Sequence, residues 1–238
     1  MSMKAQNRWQ AFGVHLVISL LLFVVLASII YFLWYPGFLF LHDGGLQGMK
    51  LIAGVDFVIG PILTLCVYKV GKKGLWWNLV LIGVMQTGCL GFGMWNVWQT
   101  RPVAVVYAAG KFMTINHRNY MEIGKVDPAA VTLLKSKWPV WVAVDVPKED
   151  EDSIATVWAL TGGSLHYNVD SYVPYEKGLG LLNRHALSSN DIHVSDNEAA
   201  HKLESSNKSV KFFPVMASED EGYLAVDTGS GAVLAYFQ

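Results

Sequence analysis

Residues 14–35 read VHLVISLLLFVVLASIIYFLWY, and the reading of this run decides the fold. It holds no formal charge, and His15, Ser19 and Ser28 are its only polar interruptions. At about 1.5 Å of rise per residue, about 20 apolar residues in a helix cross a hydrocarbon core about 30 Å thick. A signal peptide would share the basic start at Lys4 and Arg8. Its apolar region, however, runs only about 7–15 residues and ends at small residues fit for cleavage. Here the run is longer and closes on Trp34-Tyr35-Pro36. It reads as an uncleaved anchor.

Two more runs follow. Leu51–Val70 is broken by Asp56 and by Gly60-Pro61, and Leu75–Trp98 is interrupted by small and polar residues but by no charge. The expectation is an integral membrane protein with three transmembrane helices at about residues 14–35, 51–70 and 75–98. Trp9 and Trp76-Trp77 flank one side, and Trp34-Tyr35 with Trp95 and Trp98 flank the other. Such rings favour the headgroup level, where an apolar body and a polar edge are both accommodated.

Composition agrees: 53% of the 238 residues are hydrophobic, 16% are charged, and the mean hydropathy is +0.32. The net charge of -1 hides two unlike halves. Residues 1–101 hold seven basic against two acidic residues, a balance of +5. Residues 102–238 hold eleven against seventeen, a balance of -6. Five of the seven basic residues (Lys4, Arg8, Lys69, Lys72, Lys73) fall on one side of the three expected spans, and Lys50 and Arg101 on the other. The positive-inside rule then places the N-terminus in the cytoplasm and everything after Trp98 outside it, in the periplasm of a bacterium with two membranes. The expected division is a membrane domain at 1–101 and a periplasmic domain at 102–238. The acidic balance of the latter argues against nucleic-acid binding, which needs clustered Lys and Arg. Both cysteines, Cys66 and Cys89, lie in the expected spans, so the exported domain relies on its own core.

That domain reads as α+β with an antiparallel sheet. Val103–Tyr107 and Phe112–Asn116 flank Ala109-Gly110 as a hairpin, and Tyr223–Asp227 and Ala232–Phe237 flank a Gly-rich turn as another. Val140–Val146 alternates as a strand, and Lys211–Ala217 reads as a strand whose Pro214 points to an edge. Asp127-Pro128 reads as a helix start. Glu149–Asp152 opens a helix that Gly162-Gly163 would end, and Ser195-Asp196-Asn197-Glu198 reads as a capping box. Tyr172–Asp191 reads as loop or short helix.

Catalytic signatures are missing: no G-x-S-x-G, H-E-x-x-H or P-loop occurs. His185, His193 and His201 recur every eight residues, a spacing that does not return to one helix face, so no metal and no cofactor is expected. The protein therefore reads as a non-enzyme. Asp56 is the residue of most interest, because a carboxylate at membrane depth is costly unless paired or facing water. At helical rise it lies about 9 Å in from the outer end of its span, and Gln86 about 14 Å from the same face. A contact between the two fits either an interhelical hydrogen bond that sets packing or a recognition site for another membrane helix. Gly60-Pro61 should kink the second span, since Pro61 cannot donate to the carbonyl of Phe57. Gly83, Gly88, Gly91 and Gly93 permit close approach by a neighbouring helix.

The ordered combination of Phe12, His15 and Ser19, then Trp34-Tyr35-Pro36, Gly44-Gly45, Val55-Asp56, Gly60-Pro61, Leu63-Thr64, Lys72-Lys73, Gln86, Gly93 and Arg101-Pro102 resembles the type IV pilin accessory protein family (TfpX/TfpZ). The C-terminal half is similar at Phe212-Phe213-Pro214-Val215 and Asp227-Thr228-Gly229, whereas Asn78 departs from the acid expected near the start of the third span. The resemblance implies a multi-pass inner-membrane protein of piliated bacteria. It also implies an accessory role as a chaperone or assembly factor for type IV pilin, with membrane lipid as its surroundings. Asp56, Gly60, Pro61, Gln86 and Arg101 are then candidates for partner binding or helix packing. From a different class, a membrane-anchored sensor with a ligand-binding exported domain also fits the composition.

Overall fold

The computed structural model describes residues 7–71, 73–123, 139–145, 147–160 and 164–238. The expected helix start at Asp127-Pro128 and the expected stop at Gly162-Gly163 lie outside them, as do Lys4 and Lys72. The chain divides into two compact units: residues 1–36 with 44–99, and residues 37–43 with 100–238.

The first unit holds three helices long and apolar enough to cross a membrane: α1 (Arg8–Trp34), α3 (Gly45–Val67) and α4 (Leu75–Thr100). Helix α1 starts where the Asn7 side chain accepts from the Gln10 amide, and it closes in a π turn over Ile30–Trp34. Helix α3 begins six residues ahead of the apolar run, at Gly45, after Gly44 turns the chain at φ 97°. Pro61 does not break it. A π segment over Ala53–Ile59 precedes Gly60-Pro61, and its i→i+5 pattern carries the ladder past the missing donor.

Helices α3 and α4 approach each other at glycines, though mostly not those of α4. A Cβ at Gly48 would stand 2.7 Å from Val97 Cγ2, whereas Gly83, Gly88 and Gly91 face open space and only Gly93 of that set meets a neighbour, Leu51 at 3.9 Å. Tyr35 Oη donates to the Val97 carbonyl at 3.2 Å, and Trp34 packs edge-on against Trp98. Trp9, Trp76, Trp77 and Trp95 are exposed, as are most of the large apolar side chains of α1.

The second unit is built on a seven-stranded sheet in the order β4-β3-β1-β2-β5-β6-β7. The strands are β1 (Pro102–Ala108), β2 (Lys111–Asn116), β3 (Val140–Val144), β4 (Tyr172–Pro174), β5 (Val210–Met216), β6 (Glu221–Asp227) and β7 (Val233–Phe237). Both expected hairpins form. The sheet is mixed, however, and the expectation of an antiparallel sheet is corrected: β1 pairs β3 in parallel and β2 pairs β5 in parallel. The reason is in the connections. The chain leaves β2 beside the start of β1, passes α5 (His117–Ile123), and re-enters on the far side of β1 running the same way. Only hairpins force antiparallel order.

Pro214 is also placed differently from expectation. It sits within β5, between β2 and β6, not on an edge strand. Phe212 exchanges both backbone hydrogen bonds with Leu187, and β5 pairs with β2 only from Val215 onward. Pro214 falls in the gap between these two partners, where a missing N–H is tolerated.

Helices α6 (Lys148–Leu160), α7 (Leu179–Leu182) and α8 (Asn197–Ser206) complete the unit. The cap of α8 is Asp196, which accepts from the Ala199 amide at 2.9 Å; Ser195, the residue expected to cap it, instead donates its hydroxyl to the Gln238 carbonyl. Strand β1 is buried along its whole length, as a central strand covered on both faces must be. One face carries Val103, Val106, Ile115 and Val142, and α8 packs over Phe212, Val210 and Ala225.

Residues 37–43 belong to this unit although they join two apolar helices of the other. Their short helix α2 (Leu39–His42) buries Leu39 and Phe40. Phe38 packs on Trp141 and stacks on Tyr236. The His42 ring stacks on Tyr236 at 3.7 Å and its Nδ1 lies 3.0 Å from Asp220 Oδ2. Asp43 Oδ1 accepts from Thr114 Oγ1 at 2.6 Å and from the Ser218 amide at 2.7 Å.

Candidate functional site

Polar side chains from all three apolar helices converge on one place. Asp56 stands in the π segment of α3 and is 5% exposed; Gln86 stands midway along α4 and is 9% exposed. Gln86 Nε2 donates to Asp56 Oδ1 at 3.4 Å, a long bond. The local sequence makes the approach feasible: Gly60, one turn beyond Asp56, has no Cβ, and one added there would fall on the Gln86 side-chain amide. Pro61, buried beside it, restarts the α-helix after the π segment. Four of the five residues singled out in the sequence are thus neighbours. The fifth, Arg101, belongs to the sheet unit, half-buried just ahead of β1, and is no part of this cluster.

Two residues that sequence reasoning left aside complete it. His15 Nδ1 and Thr64 Oγ1 are 2.5 Å apart, joining α1 to α3. His15 also engages the Gln86 side chain and feels the Asp56 charge. Ser19, one turn along α1 on the same face, is buried. The available signal was that His15 is the first polar residue of the first apolar run and shares a face with Ser19, the next one. What no spacing rule supplied was its partner, Thr64, on another helix.

The cluster is not fully satisfied. Asp56 Oδ2 is buried and finds no hydrogen-bond partner among the described residues. A carboxylate oxygen in an apolar surround is a strong acceptor, so leaving it unmatched is costly. Beside it, α1 and α4 leave a groove of about 600 Å³. Ala11, Val14 and Ile18 line one wall; Leu79, Ile82 and Gly83 line the other; His15, Thr64 and Gln86 bring polar atoms into it. Both walls follow the three- and four-residue spacing of a single helix face.

Among the described residues of the sheet unit, the polar cluster of Ser189, His201, Glu204 and Lys211 is paired within itself. Among the described residues no group of three or more His, Cys, Asp or Glu side chains could hold a metal ion. Its three periodic histidines part ways: His185 lies over Gly110, His201 pairs with Ser189 Oγ at 2.6 Å, and His193 is exposed. The acidic run Glu149–Asp152 forms the first turns of α6.

Comparison with known proteins gives the context. The family model for the fimbrial assembly protein FimB matches residues 3–37. The fimbrial assembly protein of serogroups C1 and C2 from Dichelobacter nodosus is 35% identical over 97 residues, which is 40% of this chain and 74% of that protein. The serogroup I protein of the same organism is 32% identical over 106 residues, 44% of this chain and 41% of that protein. The serogroup E1 protein is 34% identical over 97 residues, 40% of this chain and 38% of that protein. No solved structure matches the chain significantly.

Proposed function

This chain belongs to the fimbrial assembly protein family, and from that premise we propose that it is an inner-membrane accessory protein of the TfpX/TfpZ kind that binds and stabilises type IV pilin before or during pilus assembly. It has three helices of membrane-spanning length, and its basic residues concentrate on one side of them. In this reading the N-terminus is cytoplasmic, the three helices cross the bilayer, and the sheet unit is periplasmic. The role is that of a binder, not an enzyme.

The observation that carries the reading is Asp56. An acid held among apolar helices is expensive to keep, and here one of its oxygens stays unmatched. A residue that only fastened two helices together would be best served by a complete set of partners. An acceptor left open suits a site that a client completes.

The test is pilin recovery. Full-length protein solubilised in detergent should co-purify with the pilin of its host, and cells lacking it should lose pilin or pili. Asp56→Asn and Asp56→Leu, each made at normal level, should recover less pilin. Loss of the protein itself in both variants would mark Asp56 as a packing residue, and undiminished pilin and piliation in the deletion strain would refute the proposal. An alkaline phosphatase fused after Gln238 should be active, and a stable but inactive fusion would reverse the orientation.

A further inference from the structure

We infer that the groove between α1 and α4 is the seat of a single apolar helix of the pilin, which presents one hydrogen-bond donor to the polar atoms at the groove's base. This rests on the pilin-binding reading and adds to it a place and a chemistry.

The walls set the first requirement. Ala11, Val14 and Ile18 on one side, and Leu79 and Ile82 on the other, are apolar rows at helical spacing. An occupant at this depth in a bilayer has no water for its backbone, so a protein segment there must be helical. The base sets the second. His15, Thr64 and Gln86 line the groove, and Gln86 in turn donates to the buried Asp56, which is not itself a lining residue and whose Oδ2 has no partner among the described residues. A lipid tail has nothing to offer these atoms. A helix with one donor among its apolar side chains satisfies walls and base together.

Gly83 supports the assignment independently. It lies on the groove wall, and a Cβ added there meets nothing within 4 Å. The protein's own packing therefore does not require glycine at this position. A small residue that leaves room for nothing internal is what close approach by an external helix calls for.

The experiment is photocrosslinking in intact membranes with the full chain. A benzophenone side chain is placed at Ile18 or Leu79 in the groove. The controls are Leu20 and Leu81, each two residues on and so about 200° around its helix. Adducts are identified with antibody to the host's type IV pilin. Pilin adducts are expected at Ile18 and Leu79 and not at the controls. Gly83→Phe, whose Cβ meets nothing within 4 Å and whose ring would occupy the groove, should cut the Ile18 adduct by about tenfold or more. Gly88→Phe, about 140° around α4, should leave it within about twofold. Three outcomes overturn the inference: adducts only to lipid, adducts to a second copy of this chain, or pilin adducts unaffected by Gly83→Phe. In each of these, pilin that still co-purifies leaves the functional reading standing. Failure of both co-purification and crosslinking removes both.

Discussion

Thr114 and Asp43 lie 71 positions apart in the chain and are joined by a 2.6 Å hydrogen bond from the threonine hydroxyl to the buried carboxyl group. That bond, with the one from the Ser218 amide, fastens the segment between the first two apolar helices to the sheet. Asp43 Oδ2 is buried with no partner among the described residues.

Burial holds the Asp43 carboxyl above the ordinary carboxylate range, although the Thr114 and Ser218 bonds pull the other way. The native state therefore keeps this proton to a higher pH than the unfolded chain does. Its contribution to stability falls as pH rises from the unfolded value, about 3.9, through the raised native one. Asp43→Asn keeps an acceptor for Thr114 and Ser218 but carries no charge. The variant should lose this fall. Thermal unfolding of the sheet unit within the full chain from pH 4 to 8 checks it, and a variant with the same fall as the parent contradicts it.

His166 should act in the opposite sense. Burial lowers its pKa to about 4, and its ring is neutral, with Nε2 donating to the Lys111 carbonyl at 3.1 Å and Nδ1 2.7 Å from Ser164 Oγ. The unfolded chain takes up the proton first as pH falls. Stability linked to His166 is thus full above about 6.5 and declines towards pH 4, by on the order of 3 kcal/mol. Denaturant unfolding at pH 5 and 7 should differ less in His166→Gln than in the parent. An NMR titration that protonates this ring near pH 6.5 would refute the assignment.

The first hairpin carries a local strain. Ala109 has φ 47° and Gly110 φ 82°, the two positive values of a type I′ turn. Alanine is a poor choice there and asparagine or glycine a good one. Ala109→Asn or Ala109→Gly should stabilise the sheet unit by about 0.5–1 kcal/mol, read as a higher melting temperature. Gly110→Ala should destabilise it by more than about 1 kcal/mol, since its Cβ would also meet His185 Cβ at 2.7 Å.

In the helical unit, two glycines should respond oppositely to the same change. Gly60→Ala drives a methyl group into the Gln86 amide and should break the Gln86–Asp56 bond, lowering the amount of protein that accumulates in membranes. Gly83→Ala meets open space and should accumulate as the parent does, since alanine is about 1 kcal/mol the better helix former. Immunoblots of membrane fractions decide it, and equal levels for both variants would contradict the contact.

The sequence by itself determined what neighbouring residues determine together. Three long apolar runs specify three long helices, because the interruptions inside them (Asp56 and Gly60-Pro61 in the second) are too few to stop a helix, and Pro36 and the Gly71–Gly74 segment separate them. Ala109-Gly110 and the 228–231 turn specify two hairpins, because a tight turn sets the strands it joins side by side in antiparallel order. Asp56 and Gln86 could be paired in advance because helical rise converts residue number into depth.

Tertiary structure decided whatever depends on a remote partner. The parallel pairings of β1 with β3 and β2 with β5 follow from where long connections re-enter the sheet, which no local pattern encodes. Residues 37–43 fall between two expected spans, and Phe38, His42 and Asp43 find Tyr236, Asp220 and Thr114 far along the chain. His15 looked like an interruption in an apolar run until Thr64 and Gln86 supplied its partners. A buried polar group acquires its meaning from the atoms that satisfy it, and those come from elsewhere in the fold.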